Sequence, residues 1–206
     1  MKKGSEFLGF ALGWFAIIGQ FVLSIQNRTT DISETIIRFF SFFTILTNLL
    51  VALYFTAKIF RLRRGPFALY YKPGALTALT VFILLVGIVY QVILRVLWEP
   101  VGLQRVVDEL LHTVIPLYVL GYWYRYALPT DMRFRAGLYG LAYPLLYFVW
   151  IMVRGHFSNF YPYPFVNVPE IGWGAVALNF ICIFGLILLL LALLVYLGKK
   201  GINFNR

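Results

Sequence analysis

Two sets of polar residues lie inside apolar runs that are long enough to cross a bilayer. The first set contains Thr44, Thr47 and Asn48, and the second pairs Asp108 with His112. A polar side chain in lipid has no water to bond with, so each one is costly and needs an explanation. A hydroxyl and an imidazole are the minimum for nucleophilic catalysis, because a base must take the proton of the hydroxyl. These residue types therefore suggest an intramembrane catalytic site.

The spacing of the first set predicts a polar stripe on one helical face. Ser41, Thr44 and Asn48 are separated by three and then four residues, and Thr47 lies beside them. Asn48 is one turn from Thr44, so its amide is a candidate donor to an oxyanion. Membrane helices also use Thr to bond a carbonyl one turn back, and Asn to bond a neighbouring helix. Helix packing is therefore the alternative interpretation of this stripe.

Asp108 lies four residues before His112, so on a helix the carboxylate shares a face with the imidazole and can orient it. In this interpretation His112 is the base. The alternative is that His112 forms a hydrogen bond between helices or lies near water at a helix end. Pro116 would leave the carbonyl of His112 without its backbone partner, which predicts a kink at this point.

The chain has 206 residues, of which 61% are hydrophobic, too apolar for an ordinary soluble domain. We expect an all-α, polytopic integral membrane protein that forms a single transmembrane domain over residues 1–206. Runs of about 20 apolar residues match the thickness of a bilayer core. They predict six spans, at about 7–25, 36–59, 74–97, 109–128, 135–153 and 172–197. Gly9 and Gly13 form a small-residue pair that would let another helix approach the first span closely.

The distribution of charge predicts the orientation. Basic residues crowd the second and fourth loops and both ends of the chain, whereas acidic residues dilute them in the alternate loops. The positive-inside rule then puts both termini in the cytoplasm. Thr44 and His112 would both lie in the outer half of the membrane. Since these loops account for the net charge of +10, we expect no nucleic-acid partner.

The segment 154–170 is rich in proline and aromatic residues and cannot be the interior of a helix. It is either a lid across the outer membrane face or a rigid interfacial connector. His112 and His156 have no accompanying cysteine or carboxylate cluster, so no metal or other cofactor is expected. Axial ligation of a haem by the two histidines is the alternative considered.

Short segments of the chain resemble the family of androgen-induced membrane proteins, which includes the androgen-dependent TFPI-regulating protein and bacterial six-span relatives. The resemblance rests on Phe-Phe-Thr-Ile at 42–45, His-Thr-Val-Ile-Pro at 112–116 and Tyr-Pro-Phe at 163–165. The animal members are similar to intramembrane threonine hydrolases that split fatty acid esters of hydroxy fatty acids. The resemblance implies Thr44 as the nucleophile and His112 as the base, with Thr47 as a second candidate hydroxyl.

On this hypothesis the partner is a membrane lipid in the surrounding bilayer, and the oligomeric state is open. Arg154 or Arg38 would meet the carboxylate of the substrate at the interface, where long cationic side chains extend toward water. His156 and Tyr163 are further candidates for substrate binding. The competing hypothesis is a non-enzymatic six-helix membrane protein, a small transporter or scaffold, in which the same polar residues pack helices. An intramembrane peptidase and a haem protein are the remaining alternatives.

Overall fold

The computed structural model of the protein describes residues 1–97 and 99–204, and this part of the chain is helical, with no strand. The α-helices are α1 (Lys2–Gln26), α2 (Ile32–Phe39), α3 (Phe43–Ile59), α4 (Ala75–Val89), α5 (Gly102–Glu109), α6 (Ile115–Tyr126), α7 (Phe134–Leu138), α8 (Ala142–Ser158) and α9 (Val168–Phe204). Tighter 3₁₀ turns cover Gly65–Tyr71, Arg95–Leu97, Pro129–Met132, Tyr139–Leu141 and Pro164–Val166. Wider π turns cover Tyr90–Leu94 and Leu110–Val114.

Four helices within the described ranges are long and apolar enough to cross a membrane, and a fifth is added if the bent pair α2–α3 counts as one span. The four are Lys2–Gln26, Ala75–Leu97, Phe134–Ser158 and Val168–Gly201. They correspond to the first, third, fifth and sixth predicted spans. The fourth predicted span, 109–128, is not among them, because Glu109 and His112 dilute its apolar character. An apolar helical membrane protein is thus supported, and the number six stays a prediction.

The second predicted span, 36–59, is not one continuous helix. The chain breaks between α2 and α3, whose axes differ by 71°. Phe42 is extended at the break, with φ −83° and ψ 126°, and α3 begins directly after it. Ser41 therefore lies between the helices, and the predicted stripe of Ser41, Thr44 and Asn48 on one helical face is wrong. The break instead places Thr44 in the first turn of α3.

The two glycines of the first span lie where α1 crosses α3. A Cβ atom on Gly9 would come within 2.5 Å of the Phe55 ring, and one on Gly13 within 3.0 Å of the Ala52 Cβ. Only glycine permits the two backbones to approach this closely, which confirms the expected close contact. This packing fixes α3, and therefore Thr44, against α1.

The centre of the molecule is α4. In the span Ala75–Leu97, 61% of the most apolar window is buried inside the protein, against 22–28% in the other three candidate spans. Gly87 lies where α4 meets the π turn Leu110–Val114, since a Cβ there would be 3.1 Å from the carbonyl oxygen of His112. This π turn directly precedes α6 and its Pro116. The irregularity expected from Pro116 is therefore this π turn, and the same turn carries His112.

Candidate active site

Thr44 and His112 lie against each other where the start of α3 meets the π turn Leu110–Val114. The Thr44 Oγ1 atom is 3.3 Å from the His112 Nε2 atom. Thr44 is buried, and the His112 side chain is 12% exposed. Proton transfer needs a separation of about 2.6–3.2 Å in the reacting complex, and sites without substrate are often slightly looser. The pair is therefore within reach of direct base catalysis.

Asp108 holds the other side of the imidazole ring. The His112 Nδ1 atom lies 3.2 Å from the Asp108 Oδ1 atom and 3.0 Å from the backbone oxygen of the same residue. Both oxygens are acceptors, so Nδ1 carries a hydrogen in the neutral ring. The lone pair of the neutral imidazole is then on Nε2, which faces the Thr44 hydroxyl. This is the tautomer that a general base requires.

Tyr90 completes the cluster, although the sequence analysis did not single it out. Its hydroxyl donates a hydrogen bond to the Asp108 Oδ2 atom. Its ring stacks on the His112 ring, with 4.0 Å between centroids and 15° between planes. The available signal was the pair Tyr90-Gln91, which interrupts the otherwise apolar third span. Its relation to His112 depends on two π turns, which a regular helical pattern does not predict.

Asn48 connects α3 to the turn that carries His112. Its Nδ2 atom donates to the backbone oxygens of Thr44, at 2.9 Å, and Leu111, at 3.3 Å. Both amide hydrogens are thus engaged, so the expectation that Asn48 donates to an oxyanion is wrong in this arrangement. The Asn48 Oδ1 atom is buried without a hydrogen-bond partner among the described residues. Asn48 therefore has the helix-bonding role that was the alternative interpretation.

The other two hydroxyls of the predicted stripe do not reach His112. Thr47 Oγ1 lies 2.8 Å from the hydroxyl oxygen of Tyr143 on α8. Ser41 donates its hydroxyl to the backbone oxygen of Ile37, at 2.7 Å. Of these three hydroxyls, only that of Thr44 contacts the imidazole. The geometry therefore favours Thr44 over Thr47 as the candidate nucleophile.

Tyr163, from the aromatic and proline-rich segment between α8 and α9, lies on the first turn of α3. Its hydroxyl oxygen accepts a hydrogen bond from the Thr44 backbone N–H, at 3.3 Å. Its ring stacks on Phe165 and makes an edge contact with Phe42. Burial raises the pKa of the Tyr163 hydroxyl, which is therefore neutral and able to donate. The segment is folded directly over the candidate nucleophile.

Two arginines predicted to bind substrate share one carboxylate. The Glu34 Oε1 atom accepts from Arg38, at 2.7 Å, and from Arg154, at 2.8 Å, and both guanidinium groups lie over the Phe160 ring. The hydrogen bond from Arg38, with that from Arg154, holds the pKa of Glu34 below its ordinary value of 4.5. Arg154 is buried in this pairing and fastens the loop to α2, and its role in substrate binding stays a prediction. Arg38 remains at a cavity wall.

His156 does not belong to the cluster. It is exposed near the end of α8, in edge contact with Phe157, and it lines neither of the two cavities beside Thr44. The structure therefore does not bring His156 to the candidate site, and its role in substrate binding stays a prediction. The ring nitrogens of His112 are engaged by Thr44 and Asp108. Within the described ranges, no group of three or more histidine, cysteine or acidic residues is placed to hold a metal ion.

Two cavities of different character meet at Thr44. One has a volume of about 610 Å³ and is lined by His112, Asp108 and many polar side chains. The other has a volume of about 80 Å³ and is lined mainly by apolar residues, most of them on α4, α8 and α9. Thr44 and Tyr163 contribute to both walls. The candidate nucleophile therefore lies between a larger cavity whose lining includes charged and polar side chains and a smaller cavity that is nearly all apolar.

Comparison with known proteins gives no relative for this arrangement. No family model, curated protein or solved structure matches the chain. The function must therefore be argued from the geometry of the site, with the resemblance of short segments as additional support.

Proposed function

We propose that this protein is an intramembrane lipid-ester hydrolase with Thr44 as the nucleophile and His112 as the general base. The observation that carries the proposal is the contact between Thr44 Oγ1 and His112 Nε2, with His112 Nδ1 held by Asp108. A nucleophile, a base in hydrogen-bond reach, and a third group that orients the base form the arrangement used in covalent hydrolysis. Threonine supplies the hydroxyl here.

The reaction proceeds in two halves. The Thr44 oxygen attacks the ester carbonyl carbon while its proton passes to His112 Nε2. The bond between that carbon and the alcohol oxygen then breaks, and His112 returns the proton to the departing alcohol. Water, deprotonated by the same nitrogen, attacks the acyl-threonine, and the proton returns to the Thr44 oxygen as the acid leaves. Positioned proton transfer of this kind contributes about 10²–10⁴-fold to the rate.

The negative charge on the carbonyl oxygen needs donors, and the start of α3 supplies them. The helix runs for 17 residues from Phe43, and the N–H groups at its start have no partner one turn back within the helix. The Thr44 N–H donates to the Tyr163 hydroxyl and the Leu46 N–H to the Phe42 carbonyl oxygen, which leaves Phe43 and Ile45 as the backbone donors in this proposal. They form the positive end of the helix dipole, next to the nucleophile. The neutral Tyr163 hydroxyl lies at the same turn and is the side-chain donor in this proposal. Preorganised donors of this kind are often the largest catalytic contribution.

The apolar surroundings favour a lipid ester over a water-soluble one. The smaller cavity offers an acyl group a wall of aliphatic and aromatic side chains. The resemblance to the androgen-induced family points to fatty acid esters of hydroxy fatty acids, or to similar lipids, as substrates. The proposal includes six spans with both termini in the cytoplasm of a bacterial cell, which puts the site in the outer half of the plasma membrane.

A non-enzymatic membrane protein is the second candidate, favoured by one set of contacts. Asn48, Thr47 and Ser41 all use their polar groups to bond helices or adjacent backbone, as packing residues do. This candidate gives no reason for the chain of contacts from Tyr90 through Asp108 and His112 to Thr44. We therefore place it second.

A fluorophosphonate probe, which labels activated hydroxyl nucleophiles, tests the proposal on the purified full-length protein. We expect labelling of the wild type and its loss in Thr44→Ala and His112→Ala. Thr47→Ala is the matched control, because it removes a neighbouring buried hydroxyl that does not contact His112, and it should still be labelled. Thermal melting of each variant in detergent shows that the fold is kept. Labelling that persists in folded Thr44→Ala, or no labelling of folded wild type, would refute the proposal.

A further inference from the structure

The charged residues are divided unequally between the two ends of the molecule. The starts of α1, α4 and α7 and the ends of α3, α6 and α9 lie at the end that carries the N-terminus. A Cβ atom on Gly74 would be 2.8 Å from the backbone of Ala136, and the hydroxyl oxygens of Ser5 and Tyr126 are 3.3 Å apart. We call this end the basic end, because it holds twelve of the 18 lysine and arginine residues: Lys2, Lys3, Lys58, Arg61, Arg63, Arg64, Lys72, Arg125, Arg133, Arg135, Lys199 and Lys200.

Carboxylates do not neutralise this charge. Of the eight acidic residues, Glu6 and Asp131 lie at the basic end, and each is 8% exposed. Each already accepts a hydrogen bond, from the Tyr122 hydroxyl and from the Leu128 backbone N–H respectively. In the described part of the chain none of the twelve cations is within ion-pair distance of a carboxylate, and all except Lys58 are exposed. The basic end therefore has an excess of ten positive charges, which equals the net charge of the whole chain.

Tyrosine rings take the place of carboxylates as partners of several of these cations. The Lys58 Nζ atom is 3.8 Å from the centroid of the Tyr71 ring, and the Arg63 guanidinium carbon is 5.3 Å from the same centroid. The Lys200 Nζ atom lies 4.6 Å from the centroid of the Tyr196 ring. The face of an aromatic ring attracts a cation without cancelling its charge. These cations are thus held in place and can still bind an anion.

The segment between α3 and α4 is a platform for four of the cations. Its turns, Gly65–Tyr71, contain no buried residue. The Tyr71 hydroxyl donates to the backbone oxygen of Ala57, at 2.7 Å, and the Lys58 ammonium donates to that of Tyr70, at 3.2 Å. These bonds fasten the turns to the last part of α3. The exposed cations beside the turns are Arg61, Arg63, Arg64 and Lys72.

Exposed apolar side chains alternate with the cations, which indicates the kind of surface that the basic end meets. Phe60, directly before Arg61, is 61% exposed, and Leu69 is 57% exposed. Phe134 is 39% exposed between two arginines. At a membrane boundary such apolar side chains enter the acyl region, while neighbouring cations extend to the head groups. A leaflet with acidic head groups therefore matches both parts of this surface.

We propose that the basic end binds acidic phospholipids, with their phosphate groups against its exposed lysines and arginines. Guanidinium groups bind phosphates through paired hydrogen bonds, and clusters of cations beside membrane helices attract acidic lipids. The opposite end has five basic and six acidic residues in the described part of the chain, so its charges nearly balance. We expect no such preference there. The inference does not depend on the reaction proposed for Thr44.

Thermal melting of the purified full-length protein in a neutral detergent tests the proposal. Dioleoylphosphatidylglycerol, whose head group is anionic, is compared with dioleoylphosphatidylcholine at the same mole fraction. A ligand that binds the folded protein raises the melting temperature, and we expect the anionic lipid to raise it by about 4 °C more. Most of this difference should disappear at about 1 M salt, which screens exposed charges. Equal melting temperatures in the two lipids would overturn the proposal.

Two matched double variants locate the lipid. Arg63→Gln with Arg64→Gln removes two exposed cations of the basic end, and Arg28→Gln with Arg105→Gln removes two exposed cations of the opposite end. Melting in detergent without lipid shows that each variant is folded. The first variant should lose about 2 °C of the shift caused by the anionic lipid, and the second should keep the full shift. Equal losses, or a loss confined to the second variant, would overturn the assignment to the basic end.

A soluble acidic peptide distinguishes a lipid from a protein partner. Hexaglutamate supplies carboxylates without acyl chains, and it is added to the protein in dioleoylphosphatidylcholine at the anion concentration used for the anionic lipid. We expect the melting temperature to stay unchanged, because the peptide offers nothing to the exposed apolar side chains. A shift equal to that of the anionic lipid would assign the basic end to an acidic protein and overturn the lipid proposal.

Discussion

Tyr90 and His112 stack face to face, and each of them lies in a π turn. A π turn adds one residue to a helical turn, so it rotates the following side chains relative to a regular helix. Here the two turns bring a phenol and an imidazole from different helices into contact, while Asp108 bonds to both. The ring of His112 is therefore held on its face by Tyr90 and at its edge by Asp108.

Asp108→Asn should strongly reduce hydrolysis while keeping the fold. The amide nitrogen of asparagine can donate, so the substitution permits the tautomer of His112 in which Nε2 carries the hydrogen and cannot act as the base. We expect kcat/KM to fall by about 10²–10⁴-fold, as for loss of a positioned base. Glu109→Gln is the control, because Glu109 pairs with Arg95 and not with His112. A fall of equal size in both variants would contradict the assigned role of Asp108.

Tyr90→Phe should have a smaller effect, because phenylalanine keeps the stacked ring and removes only the hydrogen bond to Asp108. Hydrogen bonds to charged groups contribute about 1.5–3 kcal/mol, so the expected loss in kcat/KM is about 10–100-fold. Tyr90→Leu removes the aromatic stack as well and should lose more. Activity of Tyr90→Phe equal to that of wild type would show that the hydroxyl does not support Asp108.

Tyr163→Phe tests the proposed oxyanion donor. Removal of one such donor typically lowers kcat by about 10²–10³-fold, with a smaller change in KM, because the hydrogen bond strengthens in the transition state. Tyr161→Phe is the matched control in the same loop, since the Tyr161 ring packs on Gly155 and lines neither cavity. A change confined to KM would assign Tyr163 to ground-state binding.

Gly9→Ala should destabilise the protein through the contact between α1 and α3. The added Cβ would lie 2.5 Å from the buried Phe55 ring, which must move, and overpacking of this kind costs about 1–3 kcal/mol. Gly4→Ala is the matched control on the same helix, since a Cβ there meets nothing within 4 Å. The melting temperature in detergent should fall for the first variant only. Equal melting temperatures would show that the two helices can separate without cost.

The lowered pKa of Glu34 predicts that the stability of the fold depends on pH. Its pKa is lowered in the folded protein, chiefly by the hydrogen bond from Arg38, so the ionised form stabilises the fold. This stability is present above the unfolded pKa, near 4.5, and is lost as the pH falls through the lower folded value. Wild type should therefore melt above Glu34→Gln at neutral pH, and the difference should disappear in acid. A difference in melting temperature that stays constant over this pH range would show that the ionisation of Glu34 does not stabilise the fold.

The contact between Thr44 and His112 was predictable because each residue is a costly polar group in an apolar run. The pairing of Asp108 with His112 followed from a spacing of one helical turn. Tyr90 was not predictable, since its contacts depend on irregular turns in two separate helices. The sequence gives no local signal for those turns apart from Pro116.

For other predicted residues, the structure shows contacts that the sequence did not indicate. Asn48 was expected to face the substrate, but the backbone oxygens of Thr44 and Leu111 take its amide hydrogens. Arg154 was expected to meet the substrate at the interface, but it pairs with Glu34 on α2. The direction of α2 depends on the break that follows it, which the apolar pattern does not show. The length of the apolar run predicted one helix over 36–59, because apolar composition alone does not show the bend that follows Phe39 and Phe40.

The close packing of α1 on α3 at Gly9 and Gly13 makes the two sides of the site unequally able to move. On one side, α3 is already in close contact with α1 and cannot move towards it. On the opposite side, α8 turns most of its surface outward and is stacked on α9 through Phe148 and Phe180. Any widening of the smaller cavity would therefore occur on the side of α8, where Phe148 and Phe180 line it and stack on each other.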